Sequence, residues 1–271
     1  MTGTRYTIMG YKKMKRAIII GGGVGPMAGT DLHRQIILNT RTDGTDQDHI
    51  DVVHLSYASR ISDRTKFLLH TVEDHPGLAM ADVIIGGAEF VARQGQKAVA
   101  GVPCNTFHAP EIFQPYREEL QRRSPETDVA HMLEETARYL KEHVPGIRNI
   151  GLLSTTGTRN SRVWHTQMEQ YGITITEIPE ELQPRLHENI YHPLWGIKAL
   201  SKAGERVRTD FDSFCQMLLE EKVQAILLGC TELPMIFPVP EYLGVPLIDP
   251  MVPLARSLVR MASPNQLLPL A

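Results

Sequence analysis

Cysteine is scarce in this sequence, three in 271 residues. So small and odd a number excludes a disulfide scaffold and implies reduced thiols. Long apolar runs are missing too: none approaches the ~18 residues of a membrane-spanning helix, and no basic-then-apolar leader opens the sequence. A soluble, cytoplasmic protein is therefore expected, with no membrane partner. Neither sign of charge dominates, with 28 Lys and Arg against 31 Asp and Glu. That balance offers no electrostatic footprint for nucleic acid. The eleven histidines include no pair at the spacing of a metal-binding helix, so no metal is expected. What remains is an ordinary globular composition, 42% apolar, in a chain long enough for two domains.

The pattern along the chain is that of parallel α/β structure. Arg16 to Ile20 reads as a strand, followed by the glycine loop Gly21-Gly22-Gly23-Val24-Gly25-Pro26 and a helix from Met27 to about Asn39. Further strands are expected over 51–55, 97–102, 150–153, 225–228 and 245–248. Helices are expected over 78–94, 111–123, 131–143 and 251–261, with another from the polar loop 154–158 through Trp164. The stretch 177–184 reads as a loop bordering a cleft. Ser124-Pro125 marks a boundary, since proline restricts the residue before it.

The second half repeats the first. Gly25 and Gly157 are 132 residues apart, and Cys104 and Cys230 are 126 apart. Each cysteine follows a short apolar strand, at Pro103-Cys104-Asn105-Thr106 and again at Gly229-Cys230-Thr231-Glu232. In open α/β sheets ligands bind at the carboxyl ends of strands, so both thiols are placed to meet one ligand from two sides. The expected fold is α/β, with two related βα units of parallel sheet in tandem. The first domain takes 15–125 and 249–271, the second takes 126–248, and 1–14 is an N-terminal extension. Cys215, in an apolar-periodic segment, is expected to be a small buried residue.

A cysteine works as base or nucleophile only as thiolate, and backbone N–H groups at a helix start favour that anion. A lone thiol with a histidine partner would suggest acyl transfer. Two matched thiols suggest instead that one removes a proton from carbon while the other delivers one to the opposite face. The outcome is inversion of a stereocentre. His108 reads either as a group tuning Cys104 or as a satisfied histidine, and Glu232 either as a partner of Cys230 or as a helix-start acid. Asp63 reads as a turn cap.

The motifs Gly23-Val24-Gly25-Pro26-Met27-Ala28, Asp63-Arg64-Thr65, Pro103-Cys104-Asn105-Thr106-Phe107-His108, Thr155-Thr156-Gly157-Thr158, Gly196-Ile197-Lys198 and Gly229-Cys230-Thr231-Glu232 resemble those of the aspartate/glutamate racemase family. The likeness runs in order from about Arg16 to the end. It implies two pseudo-symmetric αβα domains with parallel sheets and the active site in the interdomain cleft, and a homodimeric racemase without cofactor, metal or nucleotide, acting on an acidic amino acid, aspartate before glutamate. By the same resemblance Cys104 and Cys230 are the acid/base thiols, and Arg64 and Lys198 meet the substrate's side-chain carboxylate. Asn105, Thr106 and Thr231 hold the α-carboxylate, with Thr158 and the loop backbone at Val24 completing the clamp. A guanidinium that forks onto a carboxylate and an ammonium acting as a point charge suit those roles.

Other activities fit parts of this pattern. A glutamate or broad-specificity racemase and a maleate isomerase would use the same scaffold, although Arg64 with Lys198 argues against hydantoins. A thiol hydrolase would use Cys104 as nucleophile with His108 as base and would not need Cys230.

Overall fold

Six consecutive buried residues, Ala17–Gly22, form the first strand, β1. A strand buried on both faces must be covered by helices on both sides, and its side chains divide accordingly. Ile18 and Ile20 pack with Leu32, Ile36, Leu254 and Leu258. Ile19 turns the other way, toward Met80, Ile84, Ile112 and Tyr116. The helices Pro26–Leu38 and Met251–Ala262 thus cover one face, and Pro76–Arg93 and Pro110–Arg123 the other. The computed structural model describes residues 16–237 and 239–270. The expected extension 1–14 lies outside the described residues.

Around β1 lie β2 (Val52–Ser56), β3 (Ala98–Gly101) and β4 (Thr127–Ala130), all parallel, in the order β2-β1-β3-β4. A second sheet holds β5 (Asn149–Ser154), β6 (Thr174–Glu177), β7 (Ala225–Gly229), β8 (Glu241–Tyr242) and β9 (Val245–Ile248), in the order β6-β5-β7-β9-β8. All are parallel except the short edge strand β8. With β8 set aside, both sheets carry the same spatial order: second strand, first, third, fourth. In each, the chain leaves the first strand toward one edge and later returns to build toward the other. The loops after the first and third strands therefore meet at the carboxyl edge, where α/β sheets bind ligands. These are the loops after β1 and β3 in one half, and after β5 and β7 in the other.

The halves share a core. Residues Ile18, Leu32 and Val99 of the first belong to one buried cluster with Ile150, Leu152, Trp164 and Leu227 of the second. Helix Met132–His143 joins them by turning Leu133, Ala137 and Leu140 inward, spaced three and four residues apart on one stripe. The far face of the second sheet packs Leu153, Ile226 and Leu228 against Phe211, Phe214 and the free thiol Cys215.

Three expectations need correction. Residues 127–130 pair with β3 and complete the first sheet, so the boundary expected between 125 and 126 falls too early; a four-residue strand of Thr, Asp, Val and Ala carries little apolar signal. The single helix expected through Trp164 is two, Thr156–Asn160 and Val163–Glu169, broken where Arg162 takes a left-handed φ of 51°. The stretch 177–184 is not all loop, because helix Gln183–Tyr191 starts inside it with Pro184 in its first turn. Proline is tolerated there since that N–H would be unpaired anyway.

Candidate active site

The loops that the sheet order brings together carry the chemistry. One nearly closed cavity is lined by Arg64, Cys104, Asn105 and Thr106 from the first half, and by Thr155, Tyr191, Lys198, Cys230, Thr231 and Glu232 from the second. It has room for little more than one water. Val24 also lines it. Cys104 and Cys230 are both buried free thiols.

Each half reaches the cavity through a local device. Asp63 caps helix Arg64–Leu68 by accepting from the Lys66 N–H at 2.9 Å, as the turn-capping reading expects. This sets Arg64 at the first helical position, 7% exposed, with its guanidinium toward Cys104. The guanidinium donates to the carbonyls of Ser62 (3.1 Å) and Val24 (3.3 Å), while its Nε is buried without a partner. In the other half Thr155 caps helix Thr156–Asn160, accepting from the Thr158 N–H at 3.4 Å. A Cβ on Gly157 would stand 2.5 Å from Thr65 Oγ1 and 2.9 Å from Thr65 Cα. The two short helices touch only because that residue has no side chain.

Across the same junction the hydroxyls of Thr106 and Thr158 lie 2.7 Å apart, and Thr155 lies 3.2 Å from Thr158. Asn105, 2% exposed, leaves both its side-chain oxygen and nitrogen without partners. A buried amide with neither end satisfied costs stability unless a ligand completes it. Asn105 and the Arg64 Nε are thus two unfilled polar demands on one cavity.

Lys198 and Glu232 form its charged wall, with Nζ and Oε1 2.5 Å apart. Glu232 Oε2 accepts from the Cys230 thiol at 3.0 Å and from the Thr231 hydroxyl at 3.2 Å. Burial works against the Lys198 charge, but Glu232 overcomes it and holds the ammonium above the usual lysine range. Burial likewise opposes the Glu232 carboxylate, yet Lys198 and its donors keep it below the ordinary carboxylate range. The Cys230 thiol is pushed well above the thiol range, first by burial and then by the adjacent carboxylate. The helix-start reading of Glu232 gives way here: its carboxylate turns back to Cys230 and Lys198, and only a short 3-10 turn, Leu233–Met235, follows it.

His108 resolves toward structure. Its Nδ1 lies 2.9 Å from the Cys104 carbonyl and its Nε2 accepts from the Met132 N–H at 3.2 Å. With both ring nitrogens engaged by backbone, neither is left to take a proton from the Cys104 thiol. Burial, and the neighbouring His131, hold it neutral. Among the described residues no group of three or more His, Cys, Asp or Glu side chains is arranged to hold a metal ion.

The structure brings together every residue singled out for catalysis or binding except His108, which is held by backbone, and Thr158, which reaches the cavity through Thr106. Sequence reasoning missed Tyr191. It ends helix Gln183–Tyr191, stacks on His187 with ring centroids 4.6 Å apart, and lies 5.4 Å from the Lys198 ammonium. Nothing in its spacing marks it, because its place depends on how Gly196 turns the chain between that helix and Lys198. A Cβ on Gly196 would stand 2.5 Å from the His192 nitrogen.

Known proteins share this fold. The aspartate racemase of Picrophilus torridus superposes with a TM-score of 0.71 and 26% identity, covering 94% of this chain and 96% of that one. The glutamate racemase of Francisella tularensis subsp. tularensis SCHU S4, in complex with D-glutamate, has the same fold at a TM-score of 0.60 and 20% identity, covering 95% and 84%. In sequence, the glutamate racemase of Pseudomonas syringae pv. tomato is 25% identical over 188 residues, 67% of this chain and 61% of that protein. The chain thus matches about three fifths of that relative's length. The family described as Asp/Glu/Hydantoin racemase matches residues 22–258, and the chain belongs to that family.

Proposed function

We propose that this chain is a cofactor-independent racemase that inverts the α-carbon of an acidic amino acid, aspartate before glutamate, with Cys104 and Cys230 as its two acid/base groups. The observation that carries this reading is that matched loops of two matched sheets bring both thiols to one narrow cavity beside two cations, buried Arg64 and half-buried Lys198. Arg64 and Lys198 favour a substrate with a second carboxylate. Asn105, Thr106 and Thr231 supply donors for the α-carboxylate, and Thr158 sets the position of Thr106. The aspartate racemase superposes more closely, at a TM-score of 0.71 against 0.60 for the glutamate racemase, which favours the shorter substrate.

The reaction is demanding because an α-proton beside a carboxylate is only weakly acidic. One thiolate accepts it, the electron pair stays on carbon and its carboxylate, and the opposite thiol returns a proton to the other face. Donors fixed in advance around that carboxylate, in a site closed to water, stabilise the charge that develops. A cavity this small must widen to admit an amino acid and close again for each turnover. The test is exchange of the α-hydrogen in deuterated water, followed by proton NMR, for both enantiomers of aspartate and of glutamate. Exchange from both enantiomers of one amino acid with loss of optical activity is expected. No exchange from any of the four would refute the reading, and maleate assayed in parallel would reveal an isomerase instead.

A further inference from the structure

The two thiols stand in matched places but not in matched surroundings. Beside Cys104 is a cation, the Arg64 guanidinium. Beside Cys230 is an anion, Glu232, which accepts its S–H at 3.0 Å. Other ionisable groups at the cavity with Cys230 are Lys198 on the helix Ile197–Leu200, Tyr191 at the end of Gln183–Tyr191, and Arg64 and Cys104 from the first half. Lys198 is already engaged by the other oxygen of Glu232. The same oxygen, Oε1, presses on the glycine loop of the first half, where a Cβ on Gly25 would stand 2.5 Å from it. Glu232 is therefore held by three neighbours, an ammonium, a thiol and a hydroxyl, and the glycine leaves it room.

We propose that Glu232 is the positioning residue of this site, one that keeps the proton on Cys230 and anchors Lys198, so that the resting protein favours the direction in which Cys230 is the acid and Cys104 the base, the other enantiomer reacting through the reverse arrangement. The inference rests on the racemase reading and deepens it. In the first half-reaction the substrate's C–H bond breaks and an S–H bond forms on Cys104. In the second, the Cys230 S–H bond breaks and a new C–H bond forms on the opposite face. Cys230 is then a thiolate hydrogen-bond distance from a carboxylate, two negative charges offset by one ammonium. Return of a proton from solvent to Cys230 and loss of one from Cys104 relieves that crowding, so Glu232 also favours resetting the site.

The test uses the full chain without substrate. Iodoacetamide alkylation of Cys104 and Cys230 is followed across pH by peptide mass spectrometry in the wild type, Glu232→Gln and Glu232→Ala, with circular dichroism confirming that each is folded. Removing the charge should move the Cys230 alkylation midpoint to lower pH in either variant, raising its rate at pH 8 by about tenfold or more, and leave Cys104 where it was. The alkaline limb of the kcat/KM profile should move down with it, since that limb reports the free enzyme's acid. A merely structural residue would lower activity without moving either midpoint. A Cys230 midpoint that stays or rises in both variants overturns the inference even if the wild type racemises; a wild type that exchanges no α-hydrogen overturns the racemase reading, whatever the alkylation shows.

Discussion

Replacing Lys198 by methionine should destabilise the protein far more at pH 8 than at pH 5. The variant keeps most of the side chain's length but strips Glu232, 3% exposed, of its cation. A buried carboxylate without a partner either remains charged at a cost of about 3–5 kcal/mol or takes up a proton. Protonation limits the penalty, because loading a proton onto a group whose unfolded pKa is ~4.3 costs about 1.4 kcal/mol per pH unit above that value. The ceiling is thus about 5 kcal/mol at pH 8 and about 1 kcal/mol at pH 5. The sign reverses between the two proteins. In the wild type Glu232 is held low, so its contribution is present above the unfolded pKa and is lost as pH falls through the folded one. In the variant the folded carboxyl titrates above the unfolded one, so its contribution is present at low pH and is lost as pH rises. Urea unfolding of both proteins at the two pH values measures the difference directly. Equal destabilisation at pH 5 and pH 8, or more at pH 5, would refute the argument that Lys198 keeps the buried Glu232 charged.

Replacing either Cys104 or Cys230 by alanine should abolish racemisation, by ~10²–10⁴-fold or more, as measured by polarimetry. A hydrolase would survive loss of Cys230, so full activity in that variant would sink the two-base reading. Asn105→Leu should melt at or above the wild-type temperature, because it removes two unpartnered buried polar atoms, while raising the KM for substrate. Lower stability with KM unchanged would show that Asn105 serves the fold rather than the ligand. Gly157→Ala should force helices Arg64–Leu68 and Thr156–Asn160 apart, at about 1–3 kcal/mol of overpacking, and reduce kcat/KM. Wild-type kinetics there would mean that the helices need not touch when the site works.

Much of the architecture was legible because it rests on local pattern. The buried runs at Ala17–Gly22 and Ala225–Gly229 read as strands, since a strand covered on both faces must be apolar throughout. Helix Met132–His143 was legible from its periodic stripe. Thr127–Ala130 and Thr174–Glu177 were not, because short strands beside the central ones owe their pairing to the neighbour's hydrogen-bonding edge rather than to their own side chains.

The site divides along the same line. By itself the sequence determined which chemistry was present: two thiols after matched strands, a pair of cations, and threonines and an asparagine suited to a carboxylate. Only the tertiary structure decided how those groups are used, because charge and protonation depend on neighbours that spacing does not reveal. His108, four residues from a cysteine, has both ring nitrogens tied to backbone. Glu232, which a linear reading places at a helix start, turns back between Lys198 and Cys230. Two cysteines alike in sequence thereby acquire opposite electrostatic surroundings, since a charge acts through the few ångströms to its partner and not through its distance along the chain.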